Sequence, residues 1–401
     1  MYLVSGDRAQ CSGCTACEKI CPKAAITMRQ DERGFFYPVV DKALCVHCGL
    51  CEKVCRFHEN KPWDNTVVAA YGMHHKDPSV HKASRSGGAF YMLAEKVIDL
   101  QGCVWGAAFD KDLDVVHIKV DSRDGLKKLQ GSKYVQSQLQ NSFPVIMNDL
   151  KAGKWVLFSG TACQVAGLLG FLELKNCSTD KLITCDIVCQ GVPSPGLYRD
   201  YRAYLEQKHG AKLAEFNFRD AGRIGWKGHE ESYRLENKNK KYFSRKYAKY
   251  YYCYYMRESC FACKYTGLHR PADFTLGDFW GVEEHYPAIA KANGTSLILI
   301  NTEKGRAFFE EARKTGKVTR VDVENCLQPR LCSPSKKPQG YDIFWEDYKT
   351  KGYKWCIEHY GTESPKSKLV YTIKPLLTWN AKLNGVYYKM RGMLYRGMRE
   401  R

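Results

Sequence analysis

The sequence predicts two folds in series: a small α+β unit over residues 1–60 and a larger α/β domain over residues 65–330, with a basic extension over 331–401. Three observations predict this. Eight of the 19 cysteines fall between Cys11 and Cys55. Beyond residue 65 the apolar residues switch between strand-like runs and helical spacing. A length of 401 residues with 44% hydrophobic content is enough for about two or three domains, each with a core.

Cysteines define the first unit. One run reads Cys11-Ser-Gly-Cys14-Thr-Ala-Cys17-Glu-Lys-Ile-Cys21-Pro22, and a second reads Cys45-Val-His-Cys48-Gly-Leu-Cys51-Glu-Lys-Val-Cys55. Both have the C-x2-C-x2-C-x3-C spacing that holds 4Fe–4S clusters in bacterial ferredoxins. Three thiolates on one tight loop take three corners of a cube, and the fourth serves the other cluster. Cluster one therefore falls to Cys11, Cys14, Cys17 and Cys55, and cluster two to Cys45, Cys48, Cys51 and Cys21. Structural zinc, which favours paired knuckles, fits two equal runs of four less well. The link from Ala24 to Leu44 should form a short hairpin, and His47 reads as a surface residue. The unit is thus an α+β ferredoxin-like dicluster domain. Two adjacent clusters make an electron wire, so the rest of the chain should hold the site that the wire serves.

In the larger domain, strands are expected at Val67–Tyr71, Cys103–Phe109, Val115–Val120, Trp155–Phe158, Leu182–Val188, Phe274–Leu276 and Ser296–Ile300. Helices are expected at Ala89–Leu100, Leu139–Leu150, Ala162–Leu172 and Glu303–Lys314. This alternation predicts a mainly parallel, covered sheet. Three connections offer glycine and hydroxyl groups to an anion: Ser84-Arg85-Ser86-Gly87-Gly88, Gly131-Ser132-Lys133-Tyr134 and Ser159-Gly160-Thr161. None has the G-x-G-x-x-G pattern of a standard nicotinamide site. Among the later cysteines, Cys163, Cys185 and Cys189 are scattered and Cys260 and Cys263 form a C-x2-C pair. Their spacing leaves open a third cluster, a zinc site or simple reduced thiols.

The formal charge of +19 is concentrated in two places. Residues 201–272 hold 16 Lys/Arg against 7 Asp/Glu, and residues 364–401 hold 9 against 1. Tyr247, Tyr250, Tyr251, Tyr252, Tyr254 and Tyr255 lie in the first stretch, where a cover over anionic cofactors is favoured over nucleic-acid stacking. The tail from Lys366 to Arg401 reads either as an amphipathic helix on an anionic membrane or as a segment packed on protein, with Pro375 interrupting it. No segment approaches the roughly 20 apolar residues of a membrane span. Met1 to Gln10 does not read as a secretory signal, so a cytoplasmic location with reduced thiols is expected.

Several motifs, taken in order, resemble one family. They are Ser86-Gly87-Gly88, Gly131-Ser132-Lys133-Tyr134, Ser159-Gly160-Thr161-Ala162-Cys163-Gln164, Cys189-Gln190-Gly191-Val192-Pro193-Ser194, Phe218-Arg219-Asp220 with Gly225-Trp226, Cys260-Phe-Ala-Cys263, and Ala272-Asp273 through Gly277-Asp278-Phe279-Trp280-Gly281. The chain from about Cys11 to about Ile300 resembles the coenzyme F420 hydrogenase/dehydrogenase beta subunit family with a two-cluster ferredoxin fused in front. The resemblance implies a larger α/β flavin-binding domain that carries FAD and a third 4Fe–4S cluster. It implies Cys163, Cys189, Cys260 and Cys263 as ligands of that cluster, with Cys185 and Cys253 spare. Ser86, Gly87, Gly88, Gly131, Ser132, Lys133, Tyr134, Gly160 and Thr161 would bind the flavin, with Lys133 as the catalytic cation beside its ring. Ala162 stands where the family often has proline. The implied activity is electron transfer between 4Fe–4S clusters, FAD and a hydride-donating or hydride-accepting small molecule, coenzyme F420 or another. A redox partner protein or ferredoxin is expected, and no nucleic acid. The rival reading is a non-catalytic protein that relays electrons from a ferredoxin to a separate enzyme.

Overall fold

The computed structural model describes residues 1–58, 63–251 and 254–361. In the first unit a short helix, Ala16–Ile20, leads into a hairpin of β1 (Ile26–Gln30) and β2 (Phe36–Val40) and then a second short helix, Leu50–Lys53. The hairpin is antiparallel with Ile26 opposite Val40. Its turn is set locally: one Asp31 carboxylate oxygen accepts from the backbone NH groups of Arg33 and Phe35, and Gly34 takes a left-handed φ of 76°.

The remaining strands are β3 (Ala69–His75), β4 (Cys103–Phe109), β5 (Val115–Val120), β6 (Val156–Gly160), β7 (Leu182–Ile187), β8 (Leu213–Asn217), β9 (Glu231–Leu235), β10 (Lys241–Ser244), β11 (Phe274–Asp278), β12 (Ser296–Ile300) and β13 (Gly316–Val321). Eight of them form one sheet in the order β13-β3-β12-β11-β7-β6-β4-β5. The sheet is mixed, which corrects the expectation of a mainly parallel one. Only β11, β7, β6 and β4 run parallel, and both flanks are antiparallel. The turn between Phe109 and Val115 is too short for a parallel crossover, so β5 folds straight back on β4. Strand β12, Ser-Leu-Ile-Leu-Ile, is buried at every position, as a strand covered on both faces must be.

Helices Ala89–Asp99 and Glu303–Ala312 cover one face, and Ser142–Lys151 and Ala162–Leu174 the other. Several boundaries shift by one or two residues from expectation, and the largest shifts fall on two elements, the strand expected at Val67–Tyr71 and observed at Ala69–His75 and the helix expected at Leu139–Leu150. The first strand starts at Ala69, and the helix expected from Leu139 starts at Ser142. Gln140 has a φ of 47°, which no α-helix accommodates, so the chain must leave that turn before the helix begins.

The basic segment is more than a cover. Strands β8, β9 and β10 form their own antiparallel sheet beside the helix Pro195–His209. Tyr247 and Tyr255 are only 1% exposed and pack with Tyr198, Tyr201 and Phe218, so they offer no surface on which a base could stack. The helix Tyr341–His359 joins the same core through Phe344 and Trp345 and bends at Gly352. The tail from Lys366 onward lies outside the described residues.

The dicluster unit is seated on the larger one at two close contacts. Ala16, Ile20 and Val54 share a core with Phe158, Leu168 and Phe171. The helix Ala162–Leu174 is apolar nearly all round because the sheet lies on one side and the dicluster unit on the other. At Gly167 a Cβ would come within 2.9 Å of the Cys14 sulfur. At the hairpin turn Gly34 faces Gly196 so closely that a Cβ on either would meet the other's Cα at 2.6 Å. Ser194 Oγ donates to Arg33 O there, at 2.6 Å.

Candidate redox site

The two cysteine loops repeat one backbone shape. Gly13 and His47 occupy equivalent positions and have φ of 72° and 51°. Thr15 and Gly49 are likewise equivalent, with φ of 64° and 72°. Left-handed backbone is costly for Thr and His, and such strain persists where a site requires it. The first loop is half-buried against the rest of the chain, whereas Cys48 and His47 of the second are exposed.

Cys11, Cys14, Cys17 and Cys55 line one small cavity, so the fourth cysteine of the second run does cross to the first loop. Burial, then the nearby Cys55, pushes the Cys14 thiol up to about 12. Burial and then Cys14 push Cys17 up as well. In the other loop, burial raises the Cys51 thiol and Cys48 adds to the effect. Cys21 accepts a hydrogen bond from Ala25 N at 3.3 Å.

A second small cavity is lined by Cys163, Cys189, Cys260 and Cys263. These residues are far apart in sequence. Cys163 opens the helix Ala162–Leu174, whose Thr161 and Gln164 form a capping box. Cys189 follows β7, and Cys260 lies in a single turn of 3₁₀ helix, Glu258–Ala262, with Cys263 just beyond. Thr161 Oγ1 lies 3.1 Å from the Cys163 sulfur. Burial, then the neighbouring thiols Cys163 and Cys263, pushes Cys189 up to about 12. Cys185, by contrast, is buried in the sheet core. Among the described residues no group of three or more His, Cys, Asp or Glu is gathered tightly enough for a single metal ion. Thiolates around one zinc ion all sit about 2.3 Å from it. Here Cys11, Cys14, Cys17 and Cys55 ring one cavity, and Cys163, Cys189, Cys260 and Cys263 ring another.

The third feature is a cavity of about 760 Å³ at the ends of β6, β7 and β11. Ser86, Gly88, Gly131, Ser132, Lys133, Tyr134, Gly160 and Thr161 all line it. Gly87 does not. A Cβ there would meet the Met73 carbonyl oxygen at 2.0 Å, so this glycine lets the loop lie on the sheet. The Lys133 ammonium donates to Gln130 O at 2.7 Å, and burial brings it down to about 7.

Sequence reasoning assigned no role to several residues of this cavity. Arg85 Nε is buried without a hydrogen-bond partner among the described residues, and burial lowers the guanidinium's pKa. Arg219 donates to Asp278 at 2.5 Å and to Trp226 O at 2.7 Å. His117 Nε2 lies 2.9 Å from Ser159 O, and burial lowers its pKa to about 4, so the ring is neutral. Arg85 stands inside the Ser84–Gly88 motif, but its orphaned donor depends on which charges fold around it. Four cations (Arg85, Lys133, Arg219 and Arg330) face the cavity against one carboxylate, Asp278.

The three cavities adjoin. Thr161, Cys189, Gln190, Gly191 and Val192 line both the large cavity and the Cys163 cavity. Ser12 and Phe57 line both the Cys163 cavity and the Cys11 cavity.

This arrangement defines an iron–sulfur protein of the oxidoreductase type. Residues 10–58 match the 4Fe-4S dicluster domain, and residues 153–325 match the C terminus of the coenzyme F420 hydrogenase/dehydrogenase beta subunit. The two matches lie in that order along the chain, the dicluster match in front. It is similar to a chain of the F420-reducing [NiFe] hydrogenase complex from Methanosarcina barkeri, with 17% identity and a TM-score of 0.46 over 80% of this chain and 96% of that one. No curated protein gives a match. No helix among the described residues is long and apolar enough to cross a membrane.

Proposed function

We propose that the chain is an iron–sulfur flavoprotein oxidoreductase. It passes electrons between the dicluster domain, a third 4Fe–4S cluster on Cys163, Cys189, Cys260 and Cys263, and FAD in the large cavity. The small molecule exchanged with the flavin is a hydride donor or acceptor, of the coenzyme F420 type or another, and a redox protein meets the dicluster end. The observation that carries this reading is the unbroken series of cavities, from the large one through two thiol-lined ones.

The residues fit these groups. A cavity of about 760 Å³ lies in the usual range for cofactors and small ligands. Its excess of cations and an Arg85 Nε without a hydrogen-bond partner among the described residues favour an anion such as a diphosphate. Gly131, with a φ of 81° and open space on its Cβ side, lets backbone approach a ligand. A bound flavin supplies chemistry that joins a two-electron hydride transfer to one-electron carriers. Lys133 would hold positive charge beside it, and Arg85 would hold its phosphates.

Anaerobic reconstitution tests the reading. Iron and acid-labile sulfide should approach about twelve of each per chain for three such clusters, and acid extraction should release FAD. A panel of hydride donors should then reduce the clusters through the flavin. Protein with full iron but no flavin, and no turnover without a partner, would favour the electron-relay reading instead.

A further inference from the structure

Arg257 is among the largest fully buried side chains of the molecule, with no measurable exposure. A guanidinium cannot shed its proton at ordinary pH, so burial normally demands an anionic partner. The other fully buried arginine, Arg270, has one: it donates to both Asp186 oxygens, at 3.2 and 2.8 Å. Arg257 has none among the described residues. Its Nε donates to Cys11 O at 2.7 Å, one Nη to Gln136 Oε1 at 3.1 Å, and the other to Phe36 O at 3.1 Å. The Tyr37 ring lies 4.0 Å below it. The adjacent carboxylate, Glu258, is turned away to Arg33 and Lys337. A full positive charge is therefore buried with no carboxylate partner among the described residues.

Its position sets it beside two cysteine quartets. Arg257 lies three residues before Cys260, and its carbonyl accepts from Cys260 N at 3.0 Å. Its side chain grips the Cys11 loop, and Gln136 passes the grip on by donating to Ser12 O at 2.9 Å. Gly13 sits against the guanidinium, where a Cβ would come within 3.0 Å of Nη1. Arg257 thus touches the loop of one inner quartet through its side chain and Cys260 of the other through its backbone.

We propose that Arg257 is the built-in counter-charge of both inner clusters, the one on Cys11, Cys14, Cys17 and Cys55 and the one on Cys163, Cys189, Cys260 and Cys263. This rests on reading both quartets as cluster sites. A cluster bound by four thiolates is anionic and gains a further negative charge when it accepts an electron, so a fixed cation beside it favours the reduced state. Among the described residues no buried arginine is hydrogen-bonded to the outer quartet, Cys21, Cys45, Cys48 and Cys51. Arg257 acts here as a positioning and potential-setting residue, and no bond to it is made or broken.

The test is a dithionite-driven redox titration of the anaerobically reconstituted full chain, followed by electron paramagnetic resonance, for wild type, Arg257→Gln and Arg257→Lys. Iron is counted in each. In Arg257→Gln two of the three cluster transitions should move to lower potential by at least a tenfold change in the reduced-to-oxidised ratio, about 59 mV for a one-electron step. The third transition should stay in place, and Arg257→Lys should restore most of the shift. If Arg257→Gln loses iron while Arg257→Lys keeps it, charge is again what the site requires. Two outcomes overturn the proposal. In one, all variants load fully with unchanged potentials. In the other, Gln and Lys strip the clusters alike, which assigns Arg257 to hydrogen-bond geometry alone. A wild type with fewer than three clusters refutes the cluster reading itself, separately from the role of Arg257.

Discussion

At the scale of single residues, the large cavity holds two cations in an unfavourable state that an anion would relieve. Arg85 has a buried Nε with nothing to bond among the described residues. Arg85→Met should weaken FAD retention by about tenfold or more, since a hydrogen bond to a charged group contributes about 1.5–3 kcal/mol. The same variant should raise the melting temperature of flavin-free protein, because it removes an unpaired buried donor. A variant that lowers both would mark Arg85 as merely structural. Lys133 gives a pH signature. Its folded value near 7, against an ordinary 10.5, means that the folded chain binds fewer protons than the unfolded one across that window. Flavin-free wild type should therefore gain stability relative to Lys133→Ala as pH rises from about 7 toward 10. Equal pH slopes in denaturant titrations of the two proteins would show that Lys133 carries no such shift. Lys133 could be singled out in the sequence because its motif surrounds it, whereas the missing partner of Arg85 is a property of the folded surroundings.

At the scale of elements, the legible parts were those whose information is local. The spacing C-x2-C-x2-C-x3-C places three thiols on one loop wherever that loop folds, and the expected hairpin Ala24–Leu44 is present as β1 and β2. The β5 flank follows from its short turn, but the direction of the β13-β3-β12 flank was not legible. Strand β12 lies between β3 and β11 through contacts across more than 200 residues, which no local pattern records. The 163–189–260–263 quartet depends on the same register, because β6 and β7 must align before Cys163 and Cys189 can meet. The helix Ala162–Leu174 supplies a test. Glycine to alanine inside an exposed helix gains about 1 kcal/mol. At Gly167 the new methyl group would press on Cys14, so Gly167→Ala should lose about 1–3 kcal/mol and some iron. Thermal unfolding with an iron count would show it, and a stabilised, fully loaded variant would contradict that seating of the dicluster unit.

At the scale of the whole molecule, the proposed function gives the three cavities an order of events that can be interrupted at chosen points. Cys48→Ser should cost one cluster at the exposed end and block exchange with a protein carrier, while flavin reduction by a small donor continues. Cys163→Ser should leave the dicluster unit reducible by dithionite but isolate it from the flavin, so that rapid mixing with a hydride donor bleaches the flavin and leaves the clusters oxidised. Equal behaviour of the two variants would show that electrons do not pass in series. The seam at Gly34, Gly196 and Gly167 carries a consequence for engineering. Glycine meets glycine across one contact, and sulfur meets bare backbone across the other. An amino-terminal module swapped in from an unrelated ferredoxin would have to reproduce that relief atom for atom, so this chain is a poor host for interchangeable electron-entry cassettes.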